Sequence, residues 1–145
     1  NFDLKFIKTS GLVNNRVSTW ISKKIIKFLK NNKIKLFQNK ILILGVAYKK
    51  NIDDTRESPA FEIIRKLKKQ NIDFEFSDPY VKSININGVK KKSKNITKSL
   101  LKKFKLVLIV TDHSEFNYKL ISKEAEFIFD SRNTIKNRTE GYFKI

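Results

Sequence analysis

Apolar residues at Val13, Val17, Trp20, Ile21, Ile25, Phe28 and Leu29 are spaced i, i+4, i+7, i+8, i+12, i+15 and i+16. That spacing predicts an amphipathic helix from about Leu12 to Leu29, with Ser18, Ser22, Lys23, Lys27 and Lys30 on its other faces. Asn31-Asn32-Lys33 ends it. The stripe needs a partner surface, and little chain precedes it to supply one.

Downstream the pattern changes. Ile41-Leu42-Ile43-Leu44-Gly45-Val46-Ala47 is a nearly continuous apolar run closing on glycine, the mark of a strand buried on both faces of a parallel sheet. A polar loop from Tyr48 to Ser58 follows. Ser58-Pro59 predicts a helix start, with Ser as N-cap and Pro at the first helical position. Ala60, Ile63, Ile64 and Leu67 form that helix's buried stripe, and Asn71 closes it. Phe74 and Phe76 alternate in a second strand, stopped by Asp78-Pro79. Residues 82–95 are polar and carry no assignable pattern, and Lys90-Lys91-Lys92-Ser93-Lys94 within them reads as loop. Leu100, Leu101 and Phe104 suggest a short helix. Leu106-Val107-Leu108-Ile109-Val110 is a third buried strand and Phe127-Ile128-Phe129 a fourth, with a helix from Phe116 to Glu124 between them. Alternating strands and helices imply an α/β fold with a parallel sheet and right-handed crossovers.

Composition narrows the chemistry. With 145 residues the chain is one ordinary domain plus at most a small appendage. It has no cysteine, which excludes a thiol nucleophile, disulfides and Cys-ligated metals. His113 is the single histidine, so a multi-His metal site is excluded as well. The four glycines, at 11, 45, 88 and 141, form neither common glycine-rich phosphate loop. No apolar run approaches the ~18 residues of a membrane span, no secretory signal is visible, and the lack of cysteine favours the cytoplasm. The formal net charge of +18 raises nucleic acid or an acidic membrane as partners. Only five of the 32 basic residues are Arg, whereas base and phosphate readers lean on Arg. Scattered Lys beside abundant Ile and Asn reads as solvated faces, with neither nucleic acid nor membrane as partner.

In parallel sheets ligands bind beyond the carboxyl ends of the strands. Residues 46–58, 77–81, 111–117 and 130–134 should line that edge. The first of these presents Tyr48, Lys49, Lys50 and Arg56 ahead of a helix N-terminus, a set suited to a phosphorylated ligand. Alternatively, Asp54, Thr55 and Glu57 cap the loop and Arg56 pairs with them. Arg132 directly follows a buried strand and faces a ligand, or a salt bridge to Asp112 or Asp130. Asp78 either stops its strand in a turn or reaches a ribose. Thr111-Asp112-His113 holds an acid–base pair or is structural. None of these forms a nucleophile–base–orienter set.

Ile43-Leu44-Gly45-Val46-Ala47-Tyr48-Lys49, followed by Asp53-Asp54-Thr55-Arg56-Glu57-Ser58-Pro59, resembles the C-terminal-domain signature of the UDP-glucose/GDP-mannose dehydrogenases. Ser77-Asp78-Pro79-Tyr80-Val81, Thr111-Asp112-His113 and Phe129-Asp130-Ser131-Arg132 continue it in order, so the resemblance covers nearly the whole chain. The Ser-Asp-Pro-Tyr and Thr-Asp-His variants are most similar to the UDP-N-acetyl-hexosamine 6-dehydrogenase branch. The resemblance implies a Rossmann-like three-layer sandwich with a mainly parallel sheet, preceded by the end of a long α-helix. It implies residues 1–36 as the end of a central helical domain that forms a homodimer, and residues 37–145 as the UDP-sugar-binding domain. Tyr48, Lys49 and Arg132 would contact the UDP-sugar substrate. Arg56 would reach an NAD held mainly by another domain, and Asn14 would lie in the opening of the central helix. The family oxidises the sugar C6 alcohol to a carboxylate with two NAD, through a thioester on a cysteine. That cysteine and the dinucleotide fingerprint are not in this sequence. The expectation is therefore a C-terminal fragment with no catalytic residue of its own, from an enzyme of surface polysaccharide synthesis.

A standalone basic nucleotide- or RNA-binding module is the competing expectation. It requires aromatic residues interleaved with basic ones on one surface, whereas Phe61, Phe74, Phe76, Phe127 and Phe129 sit at core-like positions. A third is an interaction domain with no ligand.

Overall fold

The computed structural model describes residues 5–34, 40–137 and 140–144, and the side chains of its first helix from Arg16 onward. Helix α1 (Lys5–Asn31) leads into strand β1 (Ile41–Leu44), helix α2 (Pro59–Lys68) and strand β2 (Phe74–Ser77). A hairpin of β3 (Ser83–Ile86) and β4 (Val89–Lys92) follows, then α3 (Lys98–Leu101), β5 (Leu106–Ile109), α4 (Tyr118–Glu124), β6 (Phe127–Asp130) and β7 (Tyr142–Lys144). Five strands form one sheet in the order β2-β1-β5-β6-β7, and all four of its pairings are parallel. This is the expected Rossmann-like α/β sandwich. Its strand order reverses direction between β1 and β5, which puts the topological switch point there.

Alternation along the strands builds two cores. Ile41, Ile43, Phe74, Phe76, Leu106, Leu108 and Phe129 face α1, α2 and the hairpin. Leu42, Leu44, Val107, Ile109 and Ile128 face α3 and α4. β1 is buried at every position because both faces are covered. Helix α2 starts as its sequence predicts, with Ser58 Oγ accepting the Ala60 N–H at 3.3 Å and Pro59 inside the first turn. Its expected stripe is buried in full. At its far end Asn71 takes φ 57°, and the Ile72 N–H reaches back to the Leu67 carbonyl at 3.1 Å. This is the left-handed closure that Asn tolerates.

Three features depart from the expectation. The run at 90–94 belongs largely to a strand: β4 pairs antiparallel with β3 across Asn87-Gly88. Both turn residues have positive φ, 52° and 81°, as a two-residue hairpin turn requires. Lys91 lies over the Phe74 ring with Nζ 4.9 Å from its centroid, and pairs with Asp73 at 3.4 Å. A fifth parallel strand, β7, lies outside β6. Its three residues carry too little pattern to announce themselves.

Helix α1 begins seven residues before the expected Leu12 and buries a different face. Ser18 and Ser22 are buried with Ile21, Ile25 and Leu29, where the apolar spacing places both serines outside the stripe. Ser22 Oγ satisfies itself on the Ser18 carbonyl at 2.8 Å. Val17 and Trp20 remain 48% and 46% exposed. The helix therefore has two apolar faces, one packed on this domain and one open. Phe28 anchors the packed face, with ring centroids 5.0, 5.3 and 4.9 Å from Phe127, Phe129 and Phe143. The side chains of Val13 and Asn14, and the expected boundary between residues 36 and 37, lie outside the described residues.

Candidate functional site

The four expected segments do lie at the carboxyl edge, because every strand of the sheet points the same way. Gly45 begins the loop after β1 with φ +77°. A Cβ there would sit 2.3 Å from the Thr111 carbonyl oxygen, so the loops after β1 and β5 approach at a distance only glycine permits. Thr111 then donates its hydroxyl to the Ala47 carbonyl at 2.6 Å.

Asp78, at the end of β2, organises this corner. Its Oδ2 accepts the N–H groups of Val46 and Ala47 at 2.7 and 3.1 Å, and its Oδ1 accepts those of Tyr80 and Val81 at 2.9 and 3.0 Å. His113 Nε2 lies 3.0 Å from Oδ2, with both side chains fully buried. Burial pushes the Asp78 carboxyl up, but hydrogen bonds from His113, Val46, Val81 and Tyr80 outweigh it and hold the group below the ordinary aspartate range. With its oxygens saturated, Asp78 is a structural turn residue and is not presented to a ribose. The acid–base pair within Thr111-Asp112-His113 is not formed either. His113 pairs with Asp78, and Asp112 lies 3.6 Å from Arg132 Nε.

The loop carrying Tyr48 and Lys49 is closed at its base by the Tyr48 N–H on the Asp54 carbonyl at 2.7 Å. Near its tip the Asn51 N–H donates to His113 Nδ1 at 2.9 Å. Tyr48 is half-buried and Lys49 exposed, with the Lys49 ammonium 5.7 Å from the Tyr48 ring centroid. Arg132 follows β6, two strands from β1 across β5. A second buried aspartate, Asp130, holds its loop by accepting the N–H groups of Arg132, Thr134 and Ile135 at 2.8, 2.7 and 3.1 Å and the Tyr142 hydroxyl at 2.9 Å. That hydrogen bond, after burial itself, pushes the Tyr142 phenol up. Lys49 and Arg132 are thus cations on two pinned loops near the β1/β5 switch point, with Arg132 in the salt bridge to Asp112, one of its two expected states.

Arg56 takes the alternative foreseen for it. Its Nε and Nη2 bond the two Asp54 carboxylate oxygens at 2.9 and 2.8 Å, and its N–H adds a third bond at 3.0 Å. These bonds hold the Asp54 carboxyl down at about 2. The Arg56 side chain is still 88% exposed, so the pair projects outward. The N-terminus of α2 is occupied by Ser58 and offers no open cradle for a pyrophosphate. Arg56 is thus a peripheral cation, already paired with Asp54.

Sequence reasoning placed Asn51 and Ser114 in edge segments without giving them a role, and it missed Ser93 at this edge. Asn51 exchanges two hydrogen bonds with Ser114, at 2.9 and 3.0 Å, and Ser93 Oγ both accepts from the Asp78 N–H and donates to its carbonyl, at 2.8 Å each. No local pattern announces such partners. Among the described residues no cluster of His, Asp or Glu could hold a metal ion, and no helix is long and apolar enough to cross a membrane.

Residues 42–137 match the UDP-binding domain of the UDP-glucose/GDP-mannose dehydrogenase family. Over 134 residues the chain is 29% identical to a UDP-N-acetyl-D-mannosamine dehydrogenase of Methanococcus vannielii, covering 92% of this chain and 29% of that protein. It is 28% identical to the Pyrococcus horikoshii enzyme of the same name, over 97% of this chain and 32% of the relative. The solved UDP-N-acetyl-mannosamine dehydrogenase of Staphylococcus aureus superposes with a TM-score of 0.71 at 28% identity, over 99% of this chain and 34% of that one. The chain spans about a third of the length of these relatives.

Proposed function

We propose, from the premise that the chain belongs to the UDP-glucose/GDP-mannose dehydrogenase family, that it supplies the UDP-binding wall of an NAD-dependent UDP-sugar 6-dehydrogenase. The reaction is oxidation of the sugar C6 alcohol to a carboxylate, on a UDP-N-acetyl-hexosamine, in the cytoplasm, for surface polysaccharide synthesis. The names of the relatives support that sugar class. Two NAD, bound in turn, would take the two hydrides that this four-electron oxidation releases from C6. This chain's part is to hold the nucleotide end of the substrate, which stays attached throughout, in register with that chemistry.

The observation that carries the reading is the pairing of Lys49 and Arg132 across one carboxyl edge. Each stands on a loop whose backbone is tied to a buried aspartate, directly or through one intermediary. Their backbones are already ordered when they meet a diphosphate, so binding has side-chain rotamers left to fix and not the loops. Tyr48, beside Lys49, offers its ring face to the uridine or sugar. Arg56, projecting beyond the edge, reaches toward the NAD of the other nucleotide-binding domain. Residues 1–36 are the end of the central helical domain and residues 37–145 the UDP domain. The open face of α1 at Val17 and Trp20 is where the rest of that central domain and the homodimer would pack.

Calorimetric titration with UDP tests the assignment. Charge-assisted phosphate contacts are worth about 1.5–3 kcal/mol each, so Lys49→Ala and Arg132→Ala should each weaken UDP roughly 10- to 150-fold. Unchanged affinity in both variants would refute the site. The 145-residue chain alone should not reduce NAD with any UDP-sugar, because it has no cysteine to carry the thioester.

A further inference from the structure

The geometry points to His113 as a positioning residue for the UDP site: its buried Nδ1 sets the tip of the loop that carries Tyr48 and Lys49. The inference rests on the proposal that this loop contacts UDP.

His113, in the loop after β5, is fully buried. Its Nδ1 accepts the Asn51 N–H, so that nitrogen carries no proton and the neutral ring donates from Nε2 to Asp78. Asp78 in turn holds the Val46 and Ala47 N–H groups, the two residues immediately before Tyr48. One imidazole therefore bridges the anchor ahead of Tyr48-Lys49 and the anchor behind it. The contact is specific to the loop's tip. Asn51 sits in the left-handed region at φ 61°, a conformation that an unrestrained residue does not favour. It is kept there by the Nδ1 bond and by two bonds to Ser114, the residue next to His113. The ring itself cannot turn. Tyr80 and Phe116 pack on it with centroids at 5.1 and 5.5 Å, and the Tyr118 hydroxyl donates to the His113 carbonyl at 2.9 Å. Burial raises the Tyr118 phenol's pKa, so that hydroxyl keeps its proton and remains a donor.

The two nitrogens can be tested apart. An asparagine at 113 places an amide oxygen near the position of Nδ1 and loses the reach to Asp78. A glutamine reaches toward Asp78 and offers nothing at Nδ1 to Asn51. Both variants lose packing and should melt below the wild type. UDP affinity should separate them: His113→Gln weakens UDP at least about tenfold, the scale of one lost phosphate contact, while His113→Asn stays within about threefold. Equal losses in the two variants, or no loss in either, would overturn the positioning role.

Amide hydrogen exchange of the wild-type chain supplies a readout that needs neither UDP nor a variant. The Asn51 amide should exchange at least about a hundredfold more slowly than those of Lys49 and Lys50, because it is bonded to a buried acceptor. If Asn51 exchanges as fast as its neighbours, the bridge does not hold the loop and the inference fails. If the wild type does not bind UDP while Asn51 is protected, the proposed UDP site is wrong and the loop-setting role of His113 stands.

Discussion

Asp78 and Asp130 are both buried carboxylates at the ends of parallel strands, and both collect backbone N–H groups, yet they organise their surroundings in opposite ways. Asp130 works locally. Its backbone donors come from Arg132, Thr134 and Ile135, all within five residues, and its one distant partner is the Tyr142 hydroxyl. Asp78 has two local donors, at Tyr80 and Val81, but spends Oδ2 on Val46, Ala47 and His113, 31 to 35 residues away. One aspartate shapes a turn. The other joins the loops after β1, β2 and β5, the three strands around the switch point, into a single unit. Arg132 is consequently presented by a loop held mainly by its own aspartate and tied to β5 at one point, where Ser131 bonds the Ile109 carbonyl, and Tyr48 and Lys49 by a loop that depends on three strands.

The comparison predicts a gradient of damage. Asp78→Ala should have the largest effect, about 3–5 kcal/mol by urea unfolding, since it strands four backbone donors and the His113 Nε2–H in a dry site. Asp130→Ala should cost less, about 2–3 kcal/mol, because its backbone donors lie in the half-exposed 131–135 turn, where water can replace part of what is lost. A larger loss at Asp130 than at Asp78 would break the contrast. Hydrogen exchange would sharpen it, with faster exchange confined to residues 131–135 in Asp130→Ala and spread over 46–54, 79–81 and 113–117 in Asp78→Ala.

Acid should reveal the next effect. The Asp78 carboxyl titrates below its ordinary value in the folded chain. Its contribution is therefore complete above the unfolded value of about 3.9 and is lost as pH falls through the lower folded value. Asp78→Asn, destabilised at neutral pH, should have a melting temperature that converges on the wild type's below about pH 4. A gap that stays constant down to pH 2 would mean that the carboxylate charge contributes nothing.

The smallest effect belongs to Arg56→Ala. The Arg56–Asp54 pair is solvent-exposed, so the melting temperature should not move measurably. The Asp54 carboxyl, held at about 2, should return toward its ordinary range in an NMR titration. A substantial fall in melting temperature would show that this outward pair supports the loop as Asp78 does.

Much of the architecture could be read from local pattern. The Ser58-Pro59 helix start, the Ala60-Ile63-Ile64-Leu67 stripe, four of the five parallel strands and the gathering of the chemistry-bearing loops at one edge all follow from periods of two and 3.6 and from capping chemistry. The hairpin went unread: Asn87-Gly88 is a turn signal, but its lysine-rich second strand hides the alternation. For α1, apolar spacing identified a helix and not the face it buries. Val17 and Trp20 look as core-like as Ile25, while Ser18 and Ser22 are buried only because this domain covers their side of the helix.

What the sequence by itself determined is what depends on neighbours a few residues apart: element type, helix caps and the stripe that α2 buries. Tertiary structure alone decided which partners Asp78 and His113 took. Those bonds depend on β1 lying between β2 and β5, and a hydrogen bond between residues 31 to 35 or 62 positions apart leaves no periodic trace in the chain. Burial then makes each of these bonds obligatory, since an unpaired polar group in a dry corner has no water to turn to.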